Sequence, residues 1–372
     1  MEFFATTGRG VEDILAGELA RLGMPGIAAE RGGVRFRGEP ADCWRANLWL
    51  RTANRILQPL GSFPCGTPQA LYDGVRALPW DRFLTPAMTL AVDCSLRDSS
   101  LTHSGFVALK TKDAVVDAMR DRFGSRPSVD TRDPDLRINI HLAKNFCTVS
   151  LDSSGSPLDR RGYRLEKNEA PLRETLAAAI ILSTGWDATI PLSDPLCGSG
   201  TLLIEAALLA SRRPPGLNRH FGFERWPGFD PSLWKSILEE AQGQVLERLP
   251  SAIIGSDSDG RSIATARRNA ERAGVRDLIG LMRHDMQDFI PPPSPGVIVC
   301  NPPYGERMGE VETLKPFYRQ LGDLFKQRCK GSTAWIFTGS QELAKHVGLK
   351  TTRRIVLWNG PLECRLLKYE MY

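Results

Sequence analysis

The sequence predicts a chain in two parts, an α+β first half followed by an α/β, doubly wound parallel sheet. Three observations carry that expectation. The first 150 or so residues mix short alternating strands with short helices. Residues 153–157 (Ser-Ser-Gly-Ser-Pro) are loop-like, and beyond them apolar strands alternate with helical stretches. A length of 372 residues suffices for two or three separate cores.

Residues 11–22 place apolar side chains at helical spacing, and Gly23 follows as a stop. Residues 32–38 alternate as a short strand, 41–51 are helix-like, 56–63 read as extended and 87–94 as a further strand. A helix is expected over 107–122, where apolar residues recur at Val115, Val116 and Met119. Residues 136–142 and 146–151 alternate as two strands around a polar turn. Past the boundary, a helix at 172–184 leads to a strand ending at Asp194. Apolar strands follow at 252–255, 278–282, 297–300 and 333–337. Strands alternating with helices imply parallel pairing.

The composition is that of an ordinary soluble globular protein. A formal charge of +5 is mildly basic and compatible with a polyanionic partner. No apolar run reaches the length of a membrane span, and residues 1–4 lack a basic segment leading into an apolar one, so a cytoplasmic protein without a membrane partner is expected. The eight cysteines form no C-x-x-C pair and the five histidines show no ligand spacing; neither disulfides nor a metal is expected.

Open sheets of this kind bind ligands at the carboxyl ends of their strands. The first strand ends in Asp194-Pro195-Leu196-Cys197-Gly198-Ser199-Gly200-Thr201, where the glycines allow close backbone approach and Asp194 can bind an ammonium. By itself such a glycine pair is no more than a tight turn. The second ends in Gly255-Ser256-Asp257-Ser258-Asp259, with Asp257 suited to both hydroxyls of a ribose and Asp259 to capping the next helix. The third ends in His284-Asp285-Met286, where Asp285 can accept an adenine amino N–H and Met286 can pack on the ring.

The fourth ends in Asn301-Pro302-Pro303-Tyr304. The Asn301 side-chain oxygen and the Pro302 carbonyl can accept the two N–H bonds of an exocyclic amine. Two prolines stiffen the turn, and Tyr304 can stack on a base. In order, these sites describe a nucleoside cofactor beside a flat amine. A P-loop is excluded because no Gly-Lys-Ser/Thr follows the glycines. A nicotinamide dehydrogenase would leave the Asn-Pro-Pro-Tyr turn without a task.

At these residues the chain resembles the class I S-adenosylmethionine-dependent methyltransferases whose fourth motif is Asn-Pro-Pro-Tyr. More narrowly, it is similar to the THUMP-containing guanine-N2 methyltransferases of large-subunit (23S) ribosomal RNA. The resemblance runs almost end to end. It is carried by Phe4-Ala5-Thr6-Thr7-Gly8-Arg9-Gly10-Val11-Glu12, Ala70-Leu71-Tyr72-Asp73-Gly74-Val75, Ala108-Leu109-Lys110-Thr111-Lys112-Asp113-Ala114 and Arg126-Pro127-Ser128-Val129-Asp130. Arg161-Gly162-Tyr163-Arg164, residues 300–307 and Cys364-Arg365-Leu366-Leu367-Lys368-Tyr369 complete it.

The resemblance implies a ferredoxin-like part at 1–42, a THUMP RNA-binding domain at 43–154 and a Rossmann-like, seven-stranded methyltransferase domain at 158–372. It implies S-adenosylmethionine held by Asp194, Gly198, Gly200, Thr201, Asp257, Ser258, Asp285 and Met286. Asn301, Pro302, Pro303 and Tyr304 would perform the chemistry.

Three departures stand out. Asp159 precedes Arg160 where relatives often carry His or a basic residue, Ser258 replaces an apolar residue, and the chain ends at Tyr372, so no fused second methyltransferase module is expected. Lys110, Lys112, Arg160, Arg161 and Arg164, the last three flanking Tyr163, are the expected contacts to phosphates and an exposed base. Guanine N2 is hidden in stacked RNA, so the target base must be unpaired or flipped, which favours a loop or a large-subunit assembly intermediate.

A chain beginning near Leu158 is expected to keep cofactor affinity and lose RNA. Other acceptors suit the same turn, namely guanine N2 of tRNA, adenine N6 and a glutamine amide. A non-catalytic RNA-binding assembly factor is the alternative of a different class.

Overall fold

The computed structural model describes residues 1–164, 172–305 and 310–372. In the first half, β1 (Glu2–Thr7), α1 (Glu12–Arg21), β2 (Ala28–Glu30), β3 (Gly33–Arg37), α2 (Pro40–Trp49) and β4 (Ala53–Pro64) lead into α3 (Pro68–Arg76), β5 (Thr89–Arg97) and α4 (Ser104–Phe123). Then come β6 (Ser128–Val129), β7 (Leu136–Ala143) and β8 (Phe146–Asp152).

All eight strands belong to one sheet in the order β2-β3-β1-β4-β8-β7-β5-β6. The 12-residue β4 is its spine: it pairs antiparallel with β1 through Phe4↔Leu57 and with β8 through Leu57↔Asp152. Two cores form, one around Phe3, Leu15, Leu19, Phe36 and Trp44 and one around Leu71, Val107, Val115, Ile138 and Ile140. The expected break after residue 42 falls inside α2, whose Trp44 and Leu48 belong to the same core as Phe3.

Local chemistry explains the helix starts that periodicity alone misses. Thr67 accepts from the Ala70 N–H at 3.2 Å with Pro68 in the first turn, which starts α3. His103 Nδ1 accepts from the Phe106 N–H at 3.0 Å, so α4 opens three residues before the expected Val107.

The second half contains α5 (Glu174–Thr184), β9 (Leu192–Asp194), α6 (Thr201–Ala210), α7 (Pro231–Gly243), β10 (Ile253–Asp257), α8 (Gly260–Arg272), β11 (Ile279–Arg283) and β12 (Val297–Cys300). It closes with α9 (Glu310–Arg328), β13 (Thr333–Thr338), α10 (Gln341–His346), β14 (Arg353–Asn359) and β15 (Leu362–Glu370). The seven strands run in the order β11-β10-β9-β12-β13-β15-β14.

The five strands read from the sequence pair in parallel, as expected, whereas β15 is antiparallel to both β13 and β14. That edge hairpin turns at Gly360 and Pro361, with Gly360 at φ +60°. The strand order reverses at β9, between β10 and β12, and this is the switch point at which such sheets place ligands.

The two halves share their cores. Val11 packs in the second half's core with Tyr163, Leu176 and Leu357, while Phe221, Phe223 and Trp234 pack with Trp44 of α2. The Arg51 guanidinium, 6% exposed, donates to the carbonyls of Leu208 at 3.1 Å and Arg213 at 2.9 Å at the end of α6.

Candidate active site

At the switch point, the carboxylate of Asp257 ties two loops together. Its Oδ2 accepts from the Gly198 N–H and its Oδ1 from the Asp259 N–H, both at 2.9 Å. Gly198 has φ +53°, and a Cβ built there would meet nothing within 4 Å, so its backbone borders open space. Gly200, at φ +82°, is a glycine for another reason: a Cβ would approach the Ala266 Cβ to 3.0 Å, so it permits α6 to pack on α8. Asp194 is buried, and its Oδ1 accepts from the Leu196 N–H at 2.9 Å. Burial pushes its carboxyl up to about 8 and the nearby Asp257 charge adds to the shift, while the Leu196 N–H opposes it.

Thr201 is buried, and its hydroxyl accepts from the Arg164 guanidinium at 2.6 Å. Ser258 is exposed, its carbonyl accepting from Arg283 Nε at 3.1 Å. Asp259 caps α8 by accepting from the Arg261 N–H at 3.0 Å. Asp285 is exposed and accepts from the Gln287 N–H at 3.0 Å, capping a short 3₁₀ turn. Met286 is a core side chain, buried with Phe289, Ile298 and Tyr318.

The turn after β12 leaves an acceptor open. Asn301 Oδ1 is buried with no hydrogen-bond partner among the described residues. A buried acceptor without a donor costs roughly 1–3 kcal/mol, and a ligand N–H removes that cost. Pro302 is buried, Pro303 exposed and Tyr304 half-buried. The Tyr304 hydroxyl accepts from Asn359 Nδ2 at 3.0 Å, and its ring lies so close to Gly339 that a Cβ there would come within 3.1 Å. A cavity of about 640 Å³ is lined by Tyr304, Gly305, Gly339, Ser340, Asn359 and Leu362, among others. Glu306 and Arg307 of the sequence motif lie outside the described residues.

The expected basic patch around Tyr163 is not a surface. Tyr163 is 2% exposed and its hydroxyl donates to Glu205 Oε1 at 3.0 Å, which leaves no face for a base. Arg161 is 4% exposed, donates to the carbonyls of Leu158 and Arg51 and pairs with Glu205. Arg164 serves Thr201, the Leu172 carbonyl and Glu174. These groups satisfy buried acceptors at the junction of the halves, a task that sequence does not separate from RNA binding.

Arg160 is exposed and shares a cleft of about 370 Å³ with Arg55, Arg132, Arg137 and Arg225. On α4, the Lys110 ammonium sits 4.7 Å from the centre of the Tyr72 ring, and Lys112 pairs with Asp113. Asn359 is invisible in the sequence, because its contact with Tyr304 spans 55 residues. Among the described residues, no cluster of three or more His, Cys, Asp or Glu side chains could hold a metal, all eight cysteines are free thiols, and no helix is long and apolar enough to cross a membrane.

The family model for the RMKL-like methyltransferase domain matches residues 161–368. The chain belongs to the RMKL-like methyltransferase family. In this RMKL-like chain, the THUMP domain model matches residues 66–152 and that of the RlmL ferredoxin-like domain residues 2–57. A putative RNA methyltransferase of Synechocystis sp. is 43% identical over 371 residues, covering 100% of this chain and 97% of that protein.

The ribosomal RNA large subunit methyltransferase K/L of Methylococcus capsulatus is 46% identical, covering 100% of this chain but 51% of the relative. The chain thus spans about half the length of that protein. Among solved structures, a putative methyltransferase complexed with SAH superposes with a TM-score of 0.91 at 34% identity, covering 100% of this chain and 98% of its own. A predicted N6-adenine-specific DNA methylase from Listeria monocytogenes gives 0.90 at 33% identity, covering 100% and 96%.

Proposed function

We propose that this chain transfers a methyl group from S-adenosylmethionine to guanine N2 of large-subunit (23S) ribosomal RNA. The observation that carries the reading is the buried, unpartnered Asn301 Oδ1 at the end of β12. The K/L relatives' names support the rRNA substrate, and the neighbour solved with SAH supports the donor. The residues present fit that donor. The open space over Gly198 leaves room for it, Asp257 retains lone pairs for ribose hydroxyls, and Asp194 offers a buried carboxyl to an ammonium. Asp285 is offered to the adenine amino group. When bound, the cofactor supplies a methyl group on a sulfonium sulfur.

Asn301 Oδ1 and the Pro302 carbonyl accept the two amine N–H bonds, which frees the nitrogen lone pair for attack. Tyr304, its hydroxyl held by Asn359, stacks on the base. Asn301 holds the acidified N–H of the methylated amine until the proton passes to water. The first half delivers the RNA, a role supported by the THUMP match.

Adenine N6 is the second reading, favoured by the likeness to the Listeria protein, a predicted adenine-N6 methylase. Incubation of the full chain with isotope-labelled S-adenosylmethionine and a 23S rRNA fragment, followed by nucleoside mass spectrometry, tests both. N2-methylguanosine is expected. N6-methyladenosine would replace the first reading by the second, and absence of label would defeat both.

A further inference from the structure

A second cleft, of about 230 Å³, opens at the junction of the two halves. It is lined by the turn after β1, the start of β4, the first turn of α5 and the end of β14, and no acidic side chain lines it among the described residues. The Arg9 guanidinium stacks on the Trp358 indole, 4.3 Å from the ring centre. That stack is firmly placed. Gly10 has φ +84°, and a Cβ there would come within 2.5 Å of the Val356 carbonyl oxygen, so the turn carrying Arg9 lies directly on the β14 backbone. Also in the lining, the Thr175 hydroxyl donates to Asn54 Oδ1 at 3.0 Å, and Arg173 is exposed at the cap position of α5.

Asn359 lines this cleft as well as the cavity at Tyr304, whose hydroxyl it holds. The two spaces share a wall. The smaller one lies below the roughly 300–1,000 Å³ of pockets for drug-sized ligands and suits one planar ring system. An arginine plane backed by an indole, and a second arginine in a cleft that no acidic side chain lines among the described residues, are what a single-stranded nucleotide needs, the first for the base and the second for its phosphate.

We infer that the junction cleft is a subsite for the nucleotide adjoining the target base in the acceptor RNA, with Arg9, backed by Trp358, stacking that base and Arg173 contacting its phosphate. The assignment rests on the RNA reading given above, and it makes the β14–β15 hairpin part of the substrate site.

The test uses the full chain and a single-stranded 23S rRNA oligonucleotide containing the target base, with binding read by fluorescence anisotropy. Trp358→Ala should weaken binding about fivefold or more, and Trp358→Phe should restore most of it. The Trp358→Ala effect should vanish on an oligonucleotide made abasic next to the target. Arg173→Gln should reduce the slope of log affinity against log salt by about 0.7.

Calorimetry with S-adenosylmethionine reports whether each variant is folded. Should Trp358→Ala fail to fold, the salt slope of Arg173→Gln decides alone. Unchanged binding and slope in folded variants, or a Trp358→Ala loss that persists in full on the abasic oligonucleotide, would overturn the subsite. These binding measurements are independent of which atom is methylated, so a product other than N2-methylguanosine would defeat the proposed function and leave the subsite standing.

Discussion

Changing Asp194 to Asn should remove a pH dependence that the fold builds into cofactor binding. The Asp194 carboxyl is 2% exposed, and burial with the nearby Asp257 charge pushes it from an ordinary 3.8 up to about 8. Because the folded state binds the proton more tightly than the unfolded one, this group's contribution to the unliganded fold is complete below about 4 and declines as pH climbs to about 8.

A bound ammonium reverses the preference, since it needs the anion. Each pH unit below 8 then weakens cofactor binding about tenfold, or about 1.36 kcal/mol, and binding near pH 6.5 releases close to one proton. The α-amino group of the cofactor, with an ordinary value of roughly 7.7–8.0, stays largely protonated between pH 6 and 7, so the slope in that window belongs to Asp194. Titration calorimetry in buffers of different ionisation enthalpy reads affinity and proton release together. Asp194→Asn should bind with a nearly flat profile. Wild-type affinity that stays constant from pH 6 to 7 without proton release would refute the role given to Asp194.

Asn301→Ala should slow single-turnover methyl transfer by about two orders of magnitude with little change in cofactor affinity, because it removes one preorganised acceptor at the reacting amine; near-normal transfer would remove Asn301 from the mechanism. Tyr304→Ala should instead weaken RNA binding by roughly 1–3 kcal/mol, measurable on the same rRNA fragment. Asp257→Ala should weaken cofactor binding by about 2 kcal/mol or more. It should also destabilise the unliganded protein by about 3 kcal/mol, the low end for two charge-assisted bonds on a half-exposed group, as read by urea denaturation. Arg51→Ala, which orphans the Leu208 and Arg213 carbonyls, should cost about 3 kcal/mol by the same measurement. A chain shortened to begin near Leu158 loses both Arg51 and Val11, so it should aggregate rather than retain cofactor affinity as the sequence suggests; a soluble, cofactor-binding fragment would contradict that.

The strands that carry the site are legible because β9 to β12 each open on an aliphatic residue and lead into polar or turn residues, such as Asn301 between a buried Cys300 and two prolines. The edge hairpin is harder to read. In β14, Arg353, Arg354 and Val356 face solvent, which dilutes the apolar signal on which a strand assignment relies. At Gly200 the sequence suggests a ligand contact, and the structure supplies a packing reason instead. Around Tyr163 the sequence misleads outright. Arginines that serve buried carbonyls and arginines that await phosphates are spelled alike, and only burial separates them.

The 12-residue β4 joins the two ends of the first sheet, pairing with β1 over residues 53–57 and with β8 over residues 57–64. It joins the THUMP-side strands to the part of the chain whose Val11 and Arg51 dock on the second half, as a bar joins the jaws of a caliper. Under the proposed function, a first half that grips the RNA would set the distance along the substrate at which the Asn301 turn reaches a base. An RNA whose gripped feature is moved by a few nucleotides should then be bound and left unmodified.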